Sequence, residues 1–190
     1  MPNLSQVVIL PKVIFFDQEI TKKFQSTNQC KRCGGKLNCD NYPRKPRGLP
    51  PEAEKYYQFR FSFTCGSCRK RATPPSVRFL GRKVYISIVV ILISSTAKEI
   101  QQAIFKTNPF FSLTTIKRWR NWWMRLPDSS AWRAIQGVIS PNTQRQFLPD
   151  YLINIFSKVQ PSLTEAYYSL LKFISPITTP LDYLTTVQII

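Results

Sequence analysis

Apolar residues recur at helical spacing between residues 112 and 126. Ser112 is placed to cap the N-terminus of this helix, because its hydroxyl can accept a hydrogen bond from a backbone N–H of the first turn. The apolar positions form one stripe, which we expect to face a hydrophobic core. They are Leu113, Ile116, Trp119, Trp123 and Leu126. The tryptophans could instead stack on nucleic-acid bases, but this spacing indicates that at least one belongs to the core.

The opposite face of the same stretch is polar and basic. Its side chains can reach bases and phosphates in a DNA major groove. They are Thr114, Lys117, Arg118, Asn121 and Arg125. A basic helix face can also simply be solvated, so this face alone does not specify DNA.

Two stretches precede this helix. Residues 81–95 are apolar enough for a buried element, which their length favours as a helix, although their β-branched content leaves a strand possible. Residues 96–105 begin with a capping box formed by Thr96 and Glu99. Together with residues 112–126 they predict a helix-turn-helix, a variant because the connection between its helices is longer than usual.

The end of the chain contains two further amphipathic stretches, 148–159 and 162–174. The second begins with a capping box, Ser162 and Glu165, and its apolar face includes Tyr167, Leu170, Leu171 and Ile174. We expect residues 146–175 to form helices that bind a protein partner, mediate self-association or cover the helical core.

Aromatic residues alternate with polar ones from Tyr57 to Thr64, which predicts a β-strand. One predicted face consists of Tyr57, Phe59, Phe61 and Phe63, and the other of Gln58, Arg60, Ser62 and Thr64. We expect the aromatic face to form the core of a small sheet. A base-stacking surface is the alternative.

Four of the five cysteines form two Cys-x-x-Cys pairs, Cys30 with Cys33 and Cys65 with Cys68. Two thiolates at this spacing can bind the same ion from one tight turn, and two such turns are typical of a zinc ribbon. Zinc would also supply folding free energy to a segment rich in charge and proline. Disulfides or unrelated cysteines are the alternative. The spare Cys39 could replace a ligand or be a small apolar residue, and we expect the second.

The net charge is +17, and it is concentrated in one part of the chain. Residues 22–83 carry 16 basic and 3 acidic side chains, a net of +13. A basic excess this localised predicts a polyanionic partner, because Lys and Arg displace counterions condensed on phosphates; a solubilising surface is the alternative. In this region the expected DNA contacts are Arg69, Lys70, Arg71, Arg78, Arg82 and Lys83.

The second cysteine pair and the residues after it, CGSCRKRATPPS, resemble the second knuckle of the zinc ribbons near the N-terminus of bacterial insertion-sequence transposases. In that family the knuckle is followed by basic residues, a Thr or Ser, a turn and then a helix-turn-helix. The first knuckle, CKRCGGKL, is similar as well, and the resemblance covers about residues 28–126. It implies binding to double-stranded DNA but not, by itself, transposition.

The composition argues against an enzyme. The chain contains no histidine, which removes the commonest general base and the usual nucleophile pairs. Its ten acidic residues show no catalytic cluster, and no Gly-rich phosphate loop is present. No apolar run is long enough to cross a membrane, and no secretory signal is visible. We therefore expect a cytoplasmic protein, nucleoid-associated if it is bacterial.

The predicted fold class is α+β, divided along the chain into four parts. These are an N-terminal segment (1–27), a zinc ribbon (28–81), a helix-turn-helix domain (82–145) and C-terminal helices with a tail (146–190). The predicted function is zinc-dependent DNA binding, as an accessory, regulatory or remnant protein related to transposases and without catalysis. The alternatives are an assembly module with a structural zinc clip and an RNA-binding zinc ribbon.

Overall fold

The structure is a computed structural model that describes residues 11–44, 51–80, 85–95, 102, 112–137 and 148–178. Within them, the α-helices are α1 (Pro11–Thr27), α2 (Ser87–Ser94), α3 (Leu113–Arg125), α4 (Ser130–Ile135), α5 (Leu148–Val159) and α6 (Leu163–Ile174). The strands are β1 (Leu37–Cys39), β2 (Tyr42–Pro43), β3 (Phe59–Arg60), β4 (Phe63–Cys65), β5 (Arg71–Ala72), β6 (Phe79–Leu80) and β7 (Tyr85–Ile86). Short 3-10 helices cover Pro51–Tyr56, Leu126–Asp128 and Ser175–Thr178. The fold is α+β, as predicted.

The helix α1 has no counterpart among the predicted elements. Its inward residues Val13, Phe16 and Ile20 pack against the main hydrophobic core, whereas Phe24 belongs to a second, smaller core. The ring of Phe24 stacks on that of Phe63, with centroids 5.7 Å apart. Because α1 has 17 residues, it is about 25 Å long and can reach both cores.

The smaller core belongs to a unit that we call the cysteine module, residues 28–44 and 59–72. Its antiparallel sheet has the order β1-β4-β5, and β2 pairs with β3 beside it. The buried residues beneath the sheet are Phe24, Cys30, Leu37, Phe63, Cys65 and Ala72. So few apolar side chains stabilise a fold only weakly. A cross-link within this module would therefore add a large share of its stability.

The predicted alternation of buried aromatic and exposed polar side chains from Tyr57 to Thr64 is wrong at Phe59 and Arg60. The stretch is not one strand, because it is interrupted between β3 and β4. Phe59 is 45% exposed, whereas Arg60 is buried at 2%. The Arg60 guanidinium donates hydrogen bonds to the carbonyl oxygens of Pro74 and Thr178, at 3.4 and 3.2 Å. These partners come from distant parts of the chain, so local periodicity could not indicate them. Burial lowers the pKa of Arg60 to about 10, which leaves it charged at neutral pH.

The main core surrounds α2, whose residues 88–92 are all buried. Helices α3, α5 and α6 and strand β6 contact α2. The stretch 81–95 was expected to be helical with a strand possible, and its described part contains both β7 and α2. The capping box predicted at Thr96 and Glu99 lies outside the described residues.

The two predicted C-terminal helices are confirmed as α5 and α6. Ser162 caps α6 by accepting a hydrogen bond from the backbone N–H of Glu165 at 3.2 Å. The predicted apolar face of α6 is buried, and both helices pack on the main core. Residues 146–175 were expected to bind a partner, to self-associate or to cover the helical core. The structure shows that α5 and α6 cover the core.

No described helix combines the length and the apolar character needed to span a membrane.

Candidate metal centre and basic surfaces

The four paired cysteines come together from two separate turns. The Sγ atoms of Cys30 and Cys68 are 3.5 Å apart, as are those of Cys33 and Cys65. All four Sγ atoms lie within 4.8 Å of one another. The sequence prediction that these residues form one cluster is thus confirmed.

The two turns have the same backbone geometry. Cys30 donates its N–H to Gly35 O (3.0 Å) and accepts from Gly34 N (2.8 Å); Cys65 donates to Lys70 O (2.9 Å) and accepts from Arg69 N (3.1 Å). The fifth residue of each turn has a positive φ, +71° at Gly34 and +59° at Arg69. Glycine adopts this conformation freely, but a residue with a Cβ is strained by about 1–2 kcal/mol. The second turn therefore keeps an arginine at a position that favours glycine.

Gly35 is required for a different reason, because the second turn approaches its Cα too closely to leave room for a Cβ. A Cβ at this position would lie 2.9 Å from the Sγ of Cys65 and 2.7 Å from the Oγ of Ser67. The N–H of Gly66 also donates to the carbonyl of Lys36 at 3.0 Å and so ties the second turn to the first. The two turns are therefore packed against each other directly at the sulfur cluster.

The sulfur geometry fits a tetrahedral metal ion. Bonds of about 2.3 Å from a central zinc imply sulfur–sulfur distances of about 3.8 Å, which is above the 3.5 Å of the two nearest pairs and below the 4.8 Å within which all four sulfurs lie. The four cysteines could therefore hold one metal ion with an all-thiolate ligand set.

The electrostatics of the four thiols also favour a cation at the centre of the cluster. A backbone hydrogen bond from Cys68 is the main reason why the pKa of Cys65 is lowered to about 6. A backbone hydrogen bond from Gly35 lowers the pKa of Cys33, but the thiols of Cys65 and Cys68 outweigh it and raise that pKa to about 12. Thiolates this close repel one another, so all four can ionise together only when a cation lies between them.

Cys39 lies outside this cluster. Its side chain is exposed, with Sγ 3.5 Å from the Oδ1 of Asn41. Cys39 was expected to be a small apolar residue and not a ligand; it lies at the end of β1, where its side chain reaches solvent.

Both turns carry exposed basic side chains. The second turn contains Arg69 and Lys70 and is followed by Arg71, and these three predicted DNA contacts are all exposed. The first turn adds Lys31, Arg32 and Lys36, also exposed, which were not among the predicted contacts. The signal was present in the sequence, since CKRC places two cations between the first pair of cysteines.

The prediction that Arg78 contacts DNA is wrong. Arg78 is 3% exposed, and its Nε donates to the Oδ2 of Asp17 at 2.6 Å. Asp17, itself 1% exposed, also accepts from Ser76 Oγ at 3.0 Å and from the N–H of Val77 at 2.6 Å. The Arg78 guanidinium further donates to the carbonyl oxygens of Tyr56 and Phe59. Arg78 therefore belongs to a buried network that joins α1 to residues 56–59 and 76–78.

Helix α3 presents the predicted polar face to solvent. Ser112 caps it, accepting from the N–H of Thr115 at 3.2 Å. The exposed residues include all those predicted to face DNA, Thr114, Lys117, Arg118, Asn121 and Arg125, together with Arg120. None of these basic residues is in an ion pair with a described acidic residue.

The predicted core stripe of α3 is correct except at its start. Ile116, Trp119 and Trp123 are buried, as is Leu126 just after the helix, whereas Leu113 is 74% exposed. At about 100° per residue, Leu113 lies roughly 100° away from the centre of the buried positions. It therefore projects to the side of the core.

The remaining predicted contacts, Arg82 and Lys83, lie outside the described residues.

No protein-family model, curated protein or solved structure matches this chain.

Proposed function

We propose that this protein binds double-stranded DNA and uses a structural zinc ion to hold its cysteine module together. The proposal includes no catalytic step. The main observation in its favour is the set of exposed basic side chains on α3 and in and beside the two cysteine turns.

Zinc is the metal that best suits the ligand set. Four thiolates in a tetrahedron form a closed site with no position left for water or substrate, which is typical of structural zinc. Cys30, Cys33, Cys65 and Cys68 would hold the ion. It would supply a cross-link between the two turns, and the small core beneath them makes such a cross-link important.

The basic surface of α3 supports DNA as the partner. Lys117, Arg118 and Arg125 extend from one face, and Asn121 lies among them at a position from which it could read a base edge. Cations without carboxylate partners keep their full attraction for phosphates. The side chains beside the cysteine turns would then contact the phosphate backbone of the DNA, and these contacts would not depend on the base sequence.

The finer architecture belongs to the same proposal. We interpret the cysteine module as a zinc ribbon and α3 as the recognition helix of a helix-turn-helix, as in the DNA-recognition regions of insertion-sequence transposases. The resemblance of both cysteine turns to that family supports this interpretation. A protein of this kind would act as an accessory factor, a regulator or a remnant of a mobile element.

The DNA-binding test is a fluorescence-anisotropy titration of purified protein with a labelled duplex at several salt concentrations. We expect the logarithm of the affinity to fall linearly with log salt, with a slope of about −0.9 per phosphate contacted. Lys117→Ala should weaken binding to every duplex, whereas Met124→Ala, an exposed apolar control on the same helix, should not. Absence of binding at low salt, or tighter binding to structured RNA, would contradict the proposal.

The zinc test is elemental analysis of the purified protein. We expect about one equivalent of zinc, and less in Cys65→Ser, because the loss of one of four thiolates weakens the site. Cys39→Ser is the matched control, since Cys39 lies outside the cluster, and it should keep the full equivalent. A metal-free wild-type protein with a stable fold would refute the zinc site.

A further inference from the structure

One face of the cysteine module carries an ordered row of polar and aromatic side chains. Asn38, Asp40, Tyr42 and Arg44 occupy alternate positions along the segment from β1 to β2, and none of them is buried. Asp40 follows β1 and Tyr42 begins β2, and both contact Arg71, which places them on the same side of the module. The strand register places Asn38, Thr64 and Arg71 in one row across β1, β4 and β5.

Arg71 is held in place on this face by several neighbours. Its Nη2 lies 3.4 Å from the Oδ2 of Asp40, and the same oxygen accepts a hydrogen bond from Thr64 Oγ1 at 2.6 Å. The Arg71 guanidinium also lies 4.4 Å from the centroid of the Tyr42 ring, and that of Arg44 lies 4.6 Å from it. We name these five residues the Arg71 clamp.

The clamp leaves the cation free to bind a ligand. A guanidinium has five N–H donors, and the contact with Asp40 uses one of them. The side chains of Arg71 and Asp40 are 46% and 49% exposed, so the remaining donors can reach a partner in solvent. An arginine fork matches the two free oxygens of a phosphodiester, and stacking on an aromatic ring fixes the plane of that fork.

The negative charge of Asp40 opposes DNA binding unless the carboxylate also helps to bind it. It is an exposed carboxylate among the cations of the cysteine module, where a negative charge should repel DNA. A carboxylate that orients an arginine can still increase affinity, because it removes the entropy that a mobile side chain loses on binding.

We propose that the Arg71 clamp is a preorganised site for a backbone phosphate of duplex DNA, with Asp40 and Tyr42 as positioning residues. This inference rests on the proposed function and specifies which part of the cysteine module touches the nucleic acid, and how. It assigns an acidic residue a favourable role in binding a polyanion.

The first experiment compares two charge-neutralising variants of the zinc-loaded protein, Asp40→Asn and Glu54→Gln. Both add one unit to the net charge, but the exposed Glu54 is not in an ion pair with a described basic residue. Asp40→Asn should weaken duplex binding about two- to ten-fold, the effect of releasing one side chain. It should also reduce the magnitude of the salt slope by about 0.9, the loss of one phosphate contact. Glu54→Gln should bind as tightly as wild type or more tightly.

A second pair of variants tests the ring without changing charge. Tyr42→Phe keeps the stacking surface and should bind like wild type, whereas Tyr42→Leu should show the same loss as Asp40→Asn. Zinc content and thermal midpoint check that each variant is folded. If Asp40→Asn loses its zinc, the comparison of Tyr42→Leu with Tyr42→Phe tests the clamp instead, because neither variant changes Asp40 or a cysteine.

The outcomes separate the clamp from the proposed function. If wild type binds duplex DNA and Asp40→Asn binds equally or more tightly with an unchanged salt slope, the clamp is wrong and DNA binding stands. Equal affinities of Tyr42→Leu and Tyr42→Phe would also overturn the clamp. If wild type binds no duplex at low salt, both proposals fail.

Discussion

Neutralising Asp17 should destabilise this protein more than any surface change. Its two carboxylate oxygens accept from Ser76, Val77 and Arg78 at 2.6–3.0 Å, and the carboxylate is almost fully buried. In Asp17→Asn, one oxygen becomes an NH₂ group that faces a donor whichever way the amide is turned. The buried Arg78 also loses its counter-ion.

The expected cost follows from that geometry. Removing one partner of a buried ion pair costs about 3–5 kcal/mol, because the other charge stays desolvated. For a chain of this size, that corresponds to a fall of about 6–20 °C in the thermal midpoint. The contrast is Glu19→Gln on the same helix, whose ion pair with Lys22 at 2.9 Å is exposed. Such a pair contributes at most about 1 kcal/mol.

Urea and thermal unfolding of the purified variants, monitored by circular dichroism, provide the assay. A double-mutant cycle with Arg78→Met isolates the pair: the double variant should lose less stability than the sum of the two single variants, by about 0.5–3 kcal/mol. The reasoning is refuted if Asp17→Asn costs less than about 1 kcal/mol, or if the cycle shows additivity.

Three further predictions concern single side chains. Arg69→Gly should stabilise the fold by up to about 1 kcal/mol in urea unfolding, because it relieves the positive φ, and should weaken DNA binding at every sequence. A less stable Arg69→Gly would show that the turn is not strained. Gly35→Ala should lower zinc affinity in a chelator competition, since its Cβ would press on the sulfur of Cys65; unchanged affinity would contradict the close approach. Trp123→Ala should cost about 3–5 kcal/mol through the cavity it leaves, whereas Met124→Ala, which is exposed, should cost under about 0.5 kcal/mol. If Trp123→Ala instead abolished binding at unchanged stability, our assignment of the faces of α3 would be wrong.

Local sequence was sufficient wherever the determinant lies within a few residues. The spacing of the cysteine pairs predicted the cluster, because each pair needs only one tight turn to present two sulfurs on one side. Helices α3 and α6 were predicted for the same reason, since a capping serine and a 3.6-residue period act over one or two turns.

Only the tertiary structure decided which charged residues are on the surface. Arg60 and Arg78 were expected on accessible faces, as were Arg69 and Arg71, yet the first two are buried by partners from distant parts of the chain. The bridging role of α1 and the pairing of Asp40 with Arg71 also depend on residues brought together by folding. The burial of a charge depends on its neighbours in space, and sequence periodicity reports only the neighbours along the chain.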